Sequence, residues 1–174
     1  MERFEPRIKG TTSAANQRID SLMLNLGKGK LFVPDYQRDS SQWNIKKKSL
    51  LIESIVNGLA IPPIMICPSI DNVDRKEIVD GQQRLCAIEE FVSGRFALAS
   101  EEDVDYSENV SARIAGKFFA QLPDDIRSRI EDYELSVLTL PAGMDRGVRL
   151  EVFRRINEGG VPLSAQDLRL STFG

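Results

Sequence analysis

Ile78-Val79-Asp80-Gly81-Gln82-Gln83-Arg84-Leu85 is the stretch on which the reading of this chain turns. Glu77-Ile78-Val79 is short, apolar and partly β-branched, and reads as a strand. From Asp80 to Gly94 the apolar positions Leu85, Ile88, Phe91 and Val92 recur at helical spacing. A strand thus runs into a helix through one tight turn, and Gly81 lets the backbone make it. The turn supports two readings. In the first it is a cap: Asp80 is a good N-cap residue, and Gln83 stands where the return partner of a capping box belongs. Such a cap is worth about 0.5–2 kcal/mol. In the second it is a phosphate site. Arg84 falls in the first helical turn, where the dipole disfavours a cation by about 0.3–1 kcal/mol. Gln82 is a long polar donor that capping does not need. A helix N-terminus offers unsatisfied N–H groups to anions, and an arginine and two amides add to them.

Upstream, Pro62-Pro63 opens a strand at Ile64–Cys67, which a polar turn at 68–76 joins to the strand before Asp80. Before that, residues 13–27 read as a helix on Ile19, Leu22, Met23 and Leu26, stopped by Gly27 and Gly29. Leu31-Phe32-Val33 is a strand ended by Pro34. A polar loop from Asp35 leads to Trp43, and Asn44 caps a helix with Leu50, Leu51, Ile55 and Leu59 on its core face. Downstream, residues 100–109 hold five acids and no base, which reads as a solvated insertion or loop. Pro123 opens a short helix to about Ile130. Tyr133–Leu140 reads as a strand and Asp145–Asn157 as a helix, broken by Gly159-Gly160. Ser164, with Asp167 three residues on, caps a last helix. These elements give one α+β domain over 1–174, with residues 1–12 an irregular lead-in.

Composition narrows the function. The chain has 174 residues, a net charge of −3 and no histidine. Histidine-based nucleases, Ser-His-Asp hydrolases and HExxH metalloenzymes are therefore excluded, and acid–base chemistry falls to Asp, Glu, Lys or Tyr. No Gly-x-x-x-x-Gly-Lys-Ser/Thr loop is present, which excludes a P-loop NTPase. No run of 18 apolar residues spans a membrane. Cys67 and Cys86 read as reduced thiols, and with no apolar signal-peptide core at the N-terminus the expected location is the cytoplasm. An acidic chain can meet nucleic acid only through a local patch. Residues 28–48 supply one, with six basic side chains against Asp35 and Asp39.

Two further clusters carry polar chemistry. Pro34-Asp35-Tyr36-Gln37-Arg38 offers a carboxylate, a phenol, an amide and a guanidinium; it also reads as a surface turn with Tyr36 and Trp43 packed on the core. Phe153-Arg154-Arg155-Ile156-Asn157, followed by Pro162-Leu163-Ser164 and Asp167-Leu168-Arg169, also reads as a helix with a basic last turn and a capped successor.

Together the three clusters resemble a known family. Val33–Arg38, Trp43, Leu51–Gly58 and Ile61–Pro63 resemble its opening, Ile78–Leu85 its signature, and Phe153–Asn157 with Pro162–Ser164 and Leu168-Arg169 its later motif. It is the N-terminal domain of GmrSD-type restriction enzymes, domain-of-unknown-function family 262. The resemblance covers about residues 19–171 in order. It implies a fold related to the ParB/sulfiredoxin fold, a small mixed sheet surrounded by helices. It also implies that the Asp-Gly-Gln-Gln-Arg turn binds and hydrolyses a nucleoside triphosphate in bacterial defence against phage or modified DNA. A second domain or partner subunit, often an HNH-type nuclease, usually follows; these residues, without histidine, do not contain one.

On that resemblance, Asp80, Gln83 and Arg84 are the expected catalytic residues, with Gly81, Gln82, Arg38, Arg154 and Asn157 around the nucleotide. Asp80, with Asp35 in reserve, would hold Mg²⁺ or orient water. Tyr36, Gln37, Lys46 and Lys47 are the expected DNA contacts, Tyr36 or Trp43 stacking on an exposed base. The alternatives are a DNA sensor without turnover and a metal-dependent DNA nuclease.

Overall fold

A computed structural model describes residues 2–35 and 42–158, without the side chains at 153 and 156–158. Five strands form one mixed sheet in the order β1-β5-β3-β4-β2. They are β1 (Ser13–Arg18), β2 (Leu31–Phe32), β3 (Ile64–Pro68), β4 (Lys76–Asp80) and β5 (Glu134–Thr139). The central hairpin β3–β4 is antiparallel, its two strands joined by a polar turn. β5 joins β3 in parallel, β2 joins β4 in parallel, and β1 closes the far edge antiparallel to β5.

The near-continuous apolar run of β3 follows from burial on both faces. Ile64 and Ile66 enter a main core with Ile19, Leu51, Ile55, Ile78, Leu85, Ile88 and Phe91. Met65 and Cys67 point the other way, into a smaller cluster with Val79, Leu140 and Met144. The helices α1 (Ile19–Gly27), α2 (Ile45–Val56), α3 (Gln82–Val92) and α5 (Asp124–Asp132) contribute to the main core, as does the single turn α4 (Ser111–Ile114). α6 (Arg146–Glu158) serves the smaller cluster through Val148 and Val152. Among the described residues no helix is long and apolar enough to cross a membrane.

Several sequence expectations change. The helix expected over 13–27 begins only at Ile19; Ser13–Arg18 is strand, because β5 supplies a partner for its backbone and local propensity is weak there. Leu59 lies beyond the end of α2 and is more than a third exposed, while Ile52 and Glu53 take buried places. Asn44 does cap α2, its Oδ1 accepting from Lys47 N at 2.9 Å. The acidic stretch 100–109 is a loop of turns and coil with its acids facing water, but it is not wholly solvated: Val104 and Tyr106 are buried in the main core. Apolar residues at alternate places there override what net charge suggests. Gly159-Gly160 and the helix at Ser164 lie outside the described residues.

Candidate functional site

β4 leaves the sheet at Asp80, and α3 starts two residues later. Gly81 makes the connection at φ 91°, in the left-handed region that glycine adopts without strain. It is the N-cap residue, so Asp80 is the last strand residue rather than the cap expected of it. The carboxylate of Asp80 instead faces Arg84, Oδ2 to Nη2 at 3.6 Å.

Arg84 is only 1% exposed. Its Nη2 donates to the Pro63 carbonyl at 2.8 Å, which ties the start of α3 to the chain entering β3. Burial pulls its pKa down, and Asp80 opposes that shift. The misfit of a cation in the first turn thus has a structural answer: a buried guanidinium locks the turn from beneath. A glycine is required for that lock. A Cβ on residue 81 would stand 2.5 Å from Ile64 Cδ1 and 2.9 Å from Arg84 Nη2. Gln82 and Gln83 form the rest of the first turn and are half-buried. That turn contains no acid.

The structure brings Asp80, Gly81, Gln82, Gln83 and Arg84 together at one sheet end. Asp35 lies just past β2 and is exposed. Tyr36, Gln37 and Arg38 lie outside the described residues. Arg154 is exposed on α6, and Asn157 is placed there by its backbone alone. Among the described residues no three Cys, Asp or Glu side chains gather into a group suited to a metal ion. Of the lysines at the start of α2, Lys46 is exposed and Lys47 lies 4.4 Å over the Trp43 ring. Lys48 is turned inward, pairs with Glu90 and lies 5.4 Å from the Phe96 ring. Burial lowers the Lys47 pKa.

Sequence reasoning missed three partners that organise this region. Pro63 contributes a carbonyl, which no side-chain pattern could reveal. Glu77 on β4 binds Arg149 of α6 on the opposite face, and Arg149 also donates to the carbonyls of Pro68 and Met144, each at 2.9 Å. A polar residue opening an otherwise apolar strand was the available signal for Glu77. Glu53, fully buried in α2, accepts from Ser107 N at 3.0 Å and from Asn57 Nδ2 at 3.3 Å. Its signal was a lone carboxylate inside the run Leu50-Leu51-Ile52-Glu53-Ser54-Ile55.

The model of the family described as "GmrSD restriction endonuclease, N-terminal domain" matches residues 19–174. No curated protein matches the chain. Among solved structures, a C-terminally truncated chromosome-partitioning protein ParB from Caulobacter crescentus, complexed with CTP-gamma-S, is similar at 14% identity and a TM-score of 0.43. The match covers 88% of this chain and 56% of that one, so this chain spans little more than half the length of the ParB structure.

Proposed function

The chain belongs to the family of GmrSD restriction endonuclease N-terminal domains, and from that premise we propose that it binds a nucleoside triphosphate at the start of α3 and hydrolyses it within a restriction-type defence protein. One observation carries the reading: the glycine turn starts an acid-free helix at a sheet end, with a buried guanidinium just behind it. The helix macrodipole and the N–H groups that point out of its first turn favour phosphate oxygens there. Gln82 and Gln83 add amide donors. Arg84 acts chiefly from beneath, holding the turn and adding positive potential that Asp80 offsets only in part at 3.6 Å. Asp80 orients the attacking water or a Mg²⁺ on the phosphates, with Asp35 as the second carboxylate. Arg38, Arg154 and Asn157 are the proposed further contacts to the nucleotide, the two arginines neutralising charge that develops in transfer.

Arg84 is a poor position for the test, because its loss strands buried groups. Gln83→Glu is better. It is nearly isosteric and puts an acid where the helix dipole favours one, so the fold should keep its melting temperature or gain slightly. The same charge repels a triphosphate. Calorimetric titration with each of the four triphosphates and Mg²⁺, alongside phosphate release, should show at least about tenfold weaker binding in the variant, or roughly 1.4 kcal/mol. Equal binding by variant and parent rejects the site.

A second role rests on Lys46 and Lys47. Lys46 is exposed, and Lys47 stacks on the sole tryptophan of the chain. Lys46 and Lys47, with Tyr36 and Gln37 from outside the described residues, are the proposed contacts to a DNA backbone, and nucleotide state would gate them. Such binding should fall steeply with salt in a gel-shift titration.

A further inference from the structure

One flank of α3 is open. A cavity of about 520 Å³ lies between α3, the end of α1 and β2, and every residue that lines it is among those described. Its volume falls within the roughly 300–1,000 Å³ of sites that take small organic ligands. Leu26 of α1, Phe32 of β2 and Leu85 of α3 give it apolar walls, and Cys86 and Glu89 add polar atoms along α3. Gly27 lines it too, and a Cβ added there would meet no atom within 4 Å.

The cavity is aligned with the turn at Asp80–Arg84. Gln82, Leu85, Cys86 and Glu89 stand at i, i+3, i+4 and i+7 of one helix, so they share a face. At roughly 1.5 Å per residue, Glu89 lies about 10 Å along the axis from Gln82. That span is comparable with the distance from a nucleobase to the outer phosphates of its triphosphate. At the far end Glu89 Oε1 accepts from Arg95 Nη2 at 2.8 Å, so a carboxylate and a guanidinium stand side by side there. A wholly apolar ligand would strip water from that pair without replacing it, which costs free energy. A base has apolar faces for the walls and an edge of donors and acceptors for the pair. Lys28 and Lys30 flank this end of α1, are exposed, and favour the approach of a polyanion.

We propose that this cavity takes the base of the nucleoside triphosphate whose phosphates bind at the start of α3, a placement that rests on that phosphate site. The ligand then lies along one face of α3, with its phosphates at Gln82 and its base between Phe32, Leu85 and Cys86. Glu89 and Arg95 meet the base edge.

Cys86 reports occupancy. The chain has two cysteines, and Cys67 is fully buried, so a maleimide reacts at Cys86. With Mg²⁺ present, the nucleoside triphosphate that binds best by calorimetry should slow this alkylation. Inorganic tripolyphosphate, which has no base, should not. Gly27→Phe tests the same point by filling space. Gly27 ends α1 without a positive φ, so the variant should keep the parent's melting temperature. It should bind the nucleoside triphosphate at least about tenfold more weakly and tripolyphosphate equally well. If the variant does not fold, protection of Cys86 in the parent decides alone. A nucleotide that binds and leaves Cys86 fully reactive, or protects it no better than tripolyphosphate, overturns the base site, keeps the phosphate site and leaves the cavity to another ligand. A folded Gly27→Phe chain that binds nucleotide like the parent overturns it equally. A parent that binds neither nucleotide nor tripolyphosphate removes the phosphate site and the base site with it.

Discussion

An alanine at position 81 would have to adopt φ near 91° and place its Cβ 2.5 Å from Ile64 Cδ1. The left-handed backbone alone costs about 1–3 kcal/mol for a residue with a Cβ. The overlap must then be relieved by moving Ile64, which is fully buried, or the guanidinium of Arg84. Gly81→Ala is therefore expected to lose about 2–4 kcal/mol in urea unfolding, far above the few tenths expected at an open position. A loss under 0.5 kcal/mol would contradict the locked turn. Arg84 illustrates the limit of residue-level reading: its place in the first turn was correctly read as anomalous, but sequence could not show that its partner was the Pro63 carbonyl behind it.

At the scale of elements, α2 is joined to the acidic segment by one buried carboxylate. Glu53 accepts from both the N–H and the hydroxyl of Ser107, and Ala99 N donates to Ser49 Oγ at 2.9 Å one turn earlier. Between these bonds Val104 and Tyr106 enter the core, Tyr106 donating to the Ala99 carbonyl at 2.7 Å. Glu53→Gln keeps an amide oxygen for the Ser107 donors but removes the charge that strengthens those bonds. It should cost about 1–3 kcal/mol and raise proteolytic cleavage between residues 100 and 109 before elsewhere. Unchanged cleavage there would mean that the segment is held by its apolar residues alone. The composition of 100–109 pointed to solvent because acids dominate the count, whereas the position of two apolar side chains decides its place.

Across the whole molecule the sheet is covered unequally. One face carries the large core; the other carries α6 over Met65, Cys67, Val79, Leu140 and Met144. The smaller cluster buries little, and Arg149 supplements it with Glu77 on β4 and the Pro68 carbonyl. Arg149→Met keeps the volume and removes the ties, leaving Glu77 buried without its guanidinium. Hydrogen exchange should then speed up in α6 by about 10–100-fold while α1, α2 and α3 keep their protection. Uniform loss of protection would show that the two faces unfold as one unit.

The sequence by itself determined the order of most elements, the α+β class and the family, because period-two and 3.6-residue patterns and three spaced motifs are local properties. It also placed Asp80–Arg84 at the junction of strand and helix. Tertiary structure decided the rest. β1 is strand because β5 offers it a backbone partner more than a hundred residues away. Arg84 and Arg149 are buried because carbonyls and carboxylates distant in sequence receive them on opposite faces of β4. Such pairings depend on which surfaces meet when the sheet closes, and no local pattern of residues encodes that.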